Sequence, residues 1–188
     1  RGAGLSYTGG PSPAASAVVI DTRALDAIRI DAANAVAVVG AGCTWQKLFE
    51  ACLAHGLRPA QTSPISGALT TVGATAAQSI PGGTAGILGV VAVLADGTTV
   101  RTGAALGEIA FLRDAGPDLT GLFLGDCGAF AIKTAIVLRL SPDRPCAFAS
   151  FAYDDAGALL DDVVTLARRG LVTRALALDP QKTSDAAH

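Results

Sequence analysis

The chain has 188 residues, of which 51% are hydrophobic and 16% are charged, and its formal net charge is −2. Such a composition supplies a buried core and excludes a disordered chain, and the near-neutral charge excludes binding to nucleic acid through a basic surface. The four cysteines and two histidines match no metal or redox spacing, so we expect no protein-only metal site and a reducing, cytoplasmic setting. The longest apolar stretch, "GILGVVAVLADG", is too short for a transmembrane segment, and no signal peptide is recognised.

The first part of the chain alternates β-prone runs with turn signals. The run "SAVVIDT" predicts a buried strand ending at Asp21, and "AIRID" and "AVAVVGAG" predict two strands separated by a turn at "AAN". In "TWQKLFEACLAHG", Thr44 is a suitable N-cap, apolar residues recur at helical spacing and Gly56 suits the C-terminal end, which together predict a helix. We interpret Trp45 as a core residue and His55 as a helix-end residue without a catalytic role.

The middle and the end of the chain carry clearer signals. The segment "LRPAQTSPISGA" is predicted as a loop and "LTTVGATAAQSI" as a helix of small residues. Residues 90–94 and 98–102 are predicted to form a hairpin closed by Asp96 and Gly97. "PDLTGLFLGDCGAFA" indicates a short helix and a second glycine-rich turn, and "IKTAIVLRLSP" a long strand with one apolar face. After Pro142, "CAFASFAY", "DDAGALLDDVVTLARRG" and "LVTRALALD" predict a β-α-β unit that begins a second domain.

Two glycine-rich loops are candidate anion sites. "GAGLSYTGG" offers backbone N–H groups without intervening side chains, and Ser6 and Thr8 add hydroxyl donors. "SPISGALTTVGA" leads into a predicted helix N-terminus, where free N–H groups favour phosphate. Neither loop matches the P-loop or the Rossmann fingerprint, which excludes those two classes of nucleotide site. Taken alone, each loop is more often an ordinary tight turn.

Taken in order along the chain, four segments resemble the FAD-contacting segments of the FAD-linked oxidases. These segments are "RGAGLSYTGG", "SPISGALTTVGATAAQSIPGG", "ILGVVAVLADGTTV" and "PDLTGLFLGDCGAFAIKTAIVLRLSP". The resemblance is to the vanillyl-alcohol oxidase and p-cresol methylhydroxylase type, near the glycolate oxidase and D-lactate dehydrogenase branch. It implies an α+β fold in which residues 1–142 form a two-subdomain FAD-binding domain whose N-terminal subdomain is largely missing. Residues 146–188 would begin an α+β cap domain, and we expect the chain to be part of a longer polypeptide.

The resemblance also implies where FAD would lie. Residues 2–10 would wrap the pyrophosphate, residues 64–74 and 78–81 would line the flavin and ribityl chain, and residues 128–132 would approach from the other side. The cofactor-binding residues implied in this way are Arg1, Gly2, Ala3, Gly4, Leu5, Ser6, Tyr7, Gly9, Gly10, Pro64, Ile65, Ser66, Gly67, Leu69, Thr70, Thr71, Gly73, Ala74, Gln78, Ser79, Ile80, Pro81, Gly128, Ala131 and Ile132. The chain departs from the family pattern at Ala74 and Ala131, where glycine is favoured.

The function implied by the resemblance is that of an FAD-linked oxidoreductase acting on CH–OH groups. It would take a hydride equivalent from a small hydroxylated substrate, a 2-hydroxy acid such as lactate or glycolate, and pass the electrons to an external acceptor. The first loop lacks histidine and cysteine, so we expect noncovalent FAD, and no catalytic residue is assigned because the family's substrate residues lie largely in the cap. Two alternatives remain open: a flavin-carrying electron-transfer subunit of a larger complex, and a scaffold that has lost FAD. The sequence also leaves an oligomer open.

Overall fold

The computed structural model describes residues 1–6, 9–10, 12–61, 66–79, 83–107, 113 and 116–177. The chain separates into two compact units, Arg1–Arg144 and Pro145–His188. The elements in chain order are β1 (Ile28–Asp31), β2 (Val36–Gly40), α1 (Trp45–Leu53), β3 (Leu57–Pro59), α2 (Val72–Gln78), β4 (Ile87–Val93), β5 (Thr99–Gly103), α3 (Leu119–Leu122), β6 (Ile132–Pro142) and α4 (Ala156–Arg168). The α+β class expected from the sequence is confirmed.

The first unit is built on an antiparallel sheet with the order β1-β2-β6-β4-β5, and β3 pairs with the C-terminal end of β6. The long strand β6 is therefore the centre of the sheet. Its alternate residues Ile136, Leu138 and Leu140 are buried in the main apolar core, as the predicted apolar face requires. Burial does not alternate along the whole strand, since Lys133 and Val137 are also buried.

Helices α1 and α2 begin side by side. Each has a threonine N-cap, since the Oγ1 of Thr44 accepts the N–H of Lys47 at 3.2 Å and that of Thr71 accepts the N–H of Ala74 at 3.3 Å. Trp45 is 0% exposed, and its Nε1–H donates to Oγ1 of Thr75 at 2.9 Å. The indole therefore joins the two helices, which confirms Trp45 as a core residue.

The predicted hairpin is confirmed as β4 and β5. Val90 pairs with Thr102 and Val93 with Thr99. In the connecting turn, Gly97 has φ +85°, a backbone conformation that glycine adopts without steric cost. The Oδ1 of Asp96 accepts the N–H of Thr98 at 2.9 Å, so the Asp-Gly pair closes the turn.

Two expectations for the first unit are wrong. The run "SAVVIDT" forms no strand, and Val18 is 91% exposed. In the part of the chain that the structure describes, no strand pairs with this run, and β-propensity alone does not form a strand. Conversely, the segment expected to be a loop contains the short strand β3, because the end of β6 offers free backbone groups to Leu57–Pro59.

In the second unit the predicted helix is confirmed as α4. It begins after Asp155, whose Oδ2 accepts the N–H of Ala158 at 2.8 Å, and it is followed by Gly170 with φ +62°. The hydroxyl of Tyr153 donates to Oδ2 of Asp162 at 2.8 Å, and this hydrogen bond raises the pKa of Tyr153.

The two strands predicted beside α4 are wrong for the residues that can be compared. "CAFASFAY" and the described part of "LVTRALALD" have no strand structure, and residues 178–179 lie outside the described part of the chain. Without a hydrogen-bonded neighbour, a β-prone run does not form a ladder. Among the described residues, no helix has both the length and the apolar character needed to cross a membrane.

Candidate functional site

The first unit contains a cleft of about 750 Å³, a volume within the range of small-molecule and cofactor pockets. The lining comes mainly from four parts of the chain. They are the opening loop of residues 1–6, the segment of residues 12–22, helix α2 with the residues before it, and the turn that precedes β6. The cleft is therefore assembled from residues that are far apart in the sequence.

The opening loop lies against the start of α2. A Cβ built on Gly2 would overlap Oγ1 of Thr71, so only glycine permits this approach. The carbonyl of Arg1 accepts the N–H of Thr22 at 3.0 Å, which anchors the loop to the extended segment. Gly4 lines the cleft with φ +79°, and a Cβ built there meets no heavy atom within 4 Å. The space beside the Gly4 backbone is therefore open.

Helix α2 forms another wall. The N–H of Gly73 donates to the carbonyl of Ala41 at 2.9 Å, and a Cβ at Gly73 would lie only 2.6 Å from the Cβ of Ala41. At the other end of the helix, Nε2 of Gln78 donates to Oγ of Ser6 at 3.0 Å. The helix is thus held against β2 at its start and against the opening loop at its end.

The turn before β6 completes the lining. Gly125, Cys127 and Gly128 all have positive φ, of 72°, 51° and 83°. The N–H groups of Gly125 and Cys127 donate to the carbonyls of Ala76 and Ala77 at 2.9 and 2.8 Å, which fix the turn to the C-terminal half of α2. Cys127 and Gly128 line the cleft.

The chemistry of the lining combines positive charge with an apolar surface. Among the described residues that line the cleft, the charged side chains are those of Arg1 and Lys133, and both are basic. The remaining polar side chains carry hydroxyl, thiol or amide groups. Residues 17–20 add an exposed apolar wall that includes Val18 and Ile20. Such a lining suits a ligand with both an anionic group and an apolar ring system.

The structure brings most of the predicted cofactor-binding residues to this one cleft. Those that line it are Arg1, Gly2, Ala3, Gly4, Leu5, Ser6, Gly10, Ser66, Thr70, Thr71, Gly73, Ala74, Gln78, Ser79, Gly128, Ala131 and Ile132. Gly9, Gly67 and Leu69 are described but are not part of its lining. Tyr7, Pro64, Ile65, Ile80 and Pro81 lie outside the described residues. Ala74 is half-buried and Ala131 is buried, so the departures from the family pattern lie in the cleft itself.

Sequence reasoning missed several lining residues. The sequence predicts a buried strand for part of residues 12–22, whereas this segment lines the cleft next to the glycine-rich loop. Cys127 and Lys133 were not identified either. A signal for Lys133 was present, because its charge interrupts the largely apolar sequence of β6. The signal for Cys127 was its place between Asp126 and Gly128, in a turn that favours left-handed backbone.

The cysteines separate into two groups. Cys43 and Cys52 are buried in the core, and burial raises the pKa of each thiol to about 11. Both thiols therefore stay protonated near neutral pH and act as small apolar side chains. Cys127 and Cys146 are exposed.

Comparison with known proteins relates this cleft to flavin binding. A family model described as an FAD binding domain matches residues 1–103. D-lactate dehydrogenase of Archaeoglobus fulgidus is 30% identical over 179 residues, which are 91% of this chain and 39% of that protein. An uncharacterised FAD-linked oxidoreductase of Mycobacterium tuberculosis is 31% identical over 149 residues, which are 76% of this chain and 32% of that protein. The matched part of the chain thus spans 32–39% of the length of these relatives.

Among solved structures, 6-hydroxy-D-nicotine oxidase from Arthrobacter nicotinovorans matches with a TM-score of 0.50. The match has 21% sequence identity and covers 66% of this chain and 26% of that one. It supports the fold of this chain.

Proposed function

Because the chain belongs to the family of FAD-binding domains found in FAD-linked oxidoreductases, we propose that it carries the FAD site of an oxidoreductase acting on a small 2-hydroxy acid. The observation that carries this proposal is the cleft in which the glycine-rich loop, α2 and the turn before β6 meet. FAD is held noncovalently, and the electrons pass to an external acceptor. Residues 1–142 form the FAD-binding domain, and residues 146–188 begin the substrate-binding cap.

The residues present fit this cofactor. Cβ atoms built on Gly4 and Gly128 meet no heavy atom within 4 Å, so both backbones leave room for a ligand to approach. The basic side chain of Arg1 favours a pyrophosphate dianion over a neutral or cationic ligand. Exposed apolar side chains such as Val18 and Ile20 supply a surface that an aromatic ring can cover.

In the proposed reaction the protein binds and orients, while the cofactor supplies the redox chemistry. FAD bound in the cleft provides the acceptor for the hydride equivalent that leaves the hydroxyl-bearing carbon. The glycine-rich loop holds the anionic part of the cofactor through backbone N–H groups. Helix α2 and the turn before β6 exclude water from one side of the cleft, and their mutual hydrogen bonds keep them in place.

The substrate class rests on the relative that matches over most of the chain. That relative is a D-lactate dehydrogenase, 30% identical over 91% of this chain. A 2-hydroxy acid carries the CH–OH group that such an enzyme oxidises, and its carboxylate is compatible with the positive charge of Arg1 in the cleft lining.

The cofactor site is tested by Gly4→Val in the intact protein. A branched side chain would fill the open space beside the Gly4 backbone, and we expect the dissociation constant for FAD to rise at least tenfold, or about 1.4 kcal/mol. Gly56→Val is the matched control, because Gly56 has a similar φ of +65° and an equally open Cβ position but follows helix α1 and does not line the cleft. Equal effects of the two substitutions on FAD affinity, measured by flavin fluorescence, would contradict the proposed site.

The substrate class is tested by anaerobic mixing of the FAD-loaded intact protein with D-lactate or glycolate. We expect the visible flavin absorption band to bleach with these acids and to persist with propionate, which lacks the hydroxyl group. A band that dithionite bleaches but no 2-hydroxy acid affects would refute the substrate class while leaving the cofactor assignment in place.

A further inference from the structure

Beside the cleft, two opposite charges are buried against each other. Nζ of Lys133 donates to Oδ1 of Asp126, and their side chains are 4% and 1% exposed. Lys133 is also part of the cleft lining. A buried ion pair adds little stability compared with apolar residues of similar size. Its position next to the cleft therefore calls for another explanation.

Asp126 makes the backbone contacts that shape the wall of the cleft formed by residues 125–131, which we name the 125–131 turn. Its Oδ1 accepts the N–H of Gly128 at 3.0 Å, and its Oδ2 accepts the N–H of Phe130 at 3.4 Å. One carboxylate thus bonds to two backbone groups of the turn and to Lys133, which belongs to the central strand β6.

The 125–131 turn needs such support. Cys127 has φ +51°, in the left-handed region that non-glycine residues rarely adopt. The surroundings must hold a residue in this conformation. Contacts with Ala76 and Ala77 fix one side of the turn to α2, and the carboxylate of Asp126 fixes the other side to β6.

We propose that Asp126 and Lys133 are positioning residues that hold the 125–131 turn in the shape FAD requires before the cofactor binds. The inference rests on the proposed FAD site and adds to it two residues that sequence reasoning did not assign. Lys133 acts through Asp126, and Asp126 acts through the backbone of the turn. When the turn is already ordered in the free protein, less conformational entropy is lost on FAD binding. The ion pair therefore contributes to FAD affinity.

The pair should behave as one unit. If Lys133 is neutral, Asp126 is a buried charge without its cation, and the turn is free to move so that water reaches the carboxylate. If Asp126 is neutral, Lys133 is a buried cation without its carboxylate. Removing both charges at once avoids an unpaired buried charge, and an asparagine at position 126 can still accept a backbone N–H through its amide oxygen.

The test is a double-mutant cycle on FAD affinity in the intact protein. We expect Lys133→Met and Asp126→Asn each to raise the dissociation constant for FAD at least tenfold. The double variant should bind FAD no more weakly than the single variant with the larger loss of affinity, because the residues share one interaction. Arg139→Met is the matched control: it removes a cation from the exposed part of the same strand and should change the dissociation constant less than twofold.

Affinity is measured at a temperature where circular dichroism shows every apoprotein folded, which separates positioning from stability. The visible circular dichroism of bound FAD is a second readout, and we expect it to differ between Lys133→Met and the wild type. A variant that melts earlier but binds FAD with unchanged affinity and unchanged visible spectrum would overturn the inference. The inference would also be overturned if the fold-change in the dissociation constant of the double variant equalled the product of the two single fold-changes. A wild-type apoprotein that does not bind FAD would overturn the proposed function together with the inference.

Discussion

Replacing Gly73 by alanine tests the close approach of α2 to β2 that forms one wall of the cleft. The new Cβ would lie 2.6 Å from both the Cβ and the carbonyl oxygen of Ala41. Carbon atoms in favourable contact are about 3.5–4.0 Å apart, so the helix must move outward by roughly 1 Å. Overpacking of this kind costs about 1–3 kcal/mol. The crowding atoms cannot rotate away, so the upper part of that range applies.

A second effect opposes the first. In a helix interior, alanine has a higher helix propensity than glycine by about 0.8–1.0 kcal/mol. Gly73 is the second residue of α2, so this value is the upper limit of the gain. We therefore expect Gly73→Ala to lower the free energy of unfolding by about 1–2 kcal/mol, which corresponds to a fall in Tm of about 2–8 °C for a chain of this length. Because Gly73 also lines the cleft, FAD affinity should fall as well.

Trp45 provides the assay. It is the single tryptophan of the chain and belongs to α1. Its indole is hydrogen-bonded to Thr75, which lies in α2 together with Gly73. Urea unfolding followed by its fluorescence therefore reports on the packing of α1 and α2. Gly107→Ala is the control, because a Cβ at Gly107 meets no heavy atom within 4 Å, and it should change the free energy of unfolding by less than about 0.5 kcal/mol. If Gly73→Ala were as stable as the wild type or more stable, the close approach of α2 would not be required.

Three further predictions concern the core, the thiols and the cofactor linkage. Trp45→Phe removes the buried hydrogen bond to Thr75 and should lower the free energy of unfolding by about 1–3 kcal/mol in urea unfolding followed by far-ultraviolet circular dichroism; an unchanged midpoint would refute this. A thiol reagent at pH 8 should react rapidly with the two exposed cysteines only, because burial raises the pKa values of Cys43 and Cys52 to about 11 and leaves about 0.1% of each as thiolate. Four fast-reacting thiols in the folded protein would contradict it. Acid precipitation should release all FAD to the supernatant, and flavin that stays in the pellet but is released from Cys127→Ser would show a covalent bond.

The local elements of the fold could be predicted because their signals are local. Thr44 accepts a hydrogen bond from a residue three positions along the chain, and Asp96 accepts one from a residue two positions along. The side chain and its partner belong to the same short segment, so the residues themselves specify a helix start or a turn. The apolar face of β6 is equally local, since side chains alternate between the two faces of any strand. The burial of Lys133 and Val137 between its positions is not read from that pattern.

The pairing of strands and the burial of charge depended on the tertiary structure. The run at residues 16–22 has the composition of a strand, but no strand among the described residues pairs with it, whereas Leu57–Pro59 is short and ends in proline yet pairs with β6. Strand formation needs backbone groups from elsewhere in the chain, and no single segment reveals whether they are present. The sequence marks Lys133 as a charge within a largely apolar strand, but its burial against Asp126 depends on the turn that precedes β6.

The cleft shows the same division. The sequence determined which loops are rich in glycine and therefore expose their backbone N–H groups. Only the tertiary structure decided that Gly2 lies on Thr71, that Gln78 reaches Ser6 and that Cys127 and Lys133 join the lining. These contacts connect residues that are widely separated in sequence, and they form only when the sheet and the helices have packed.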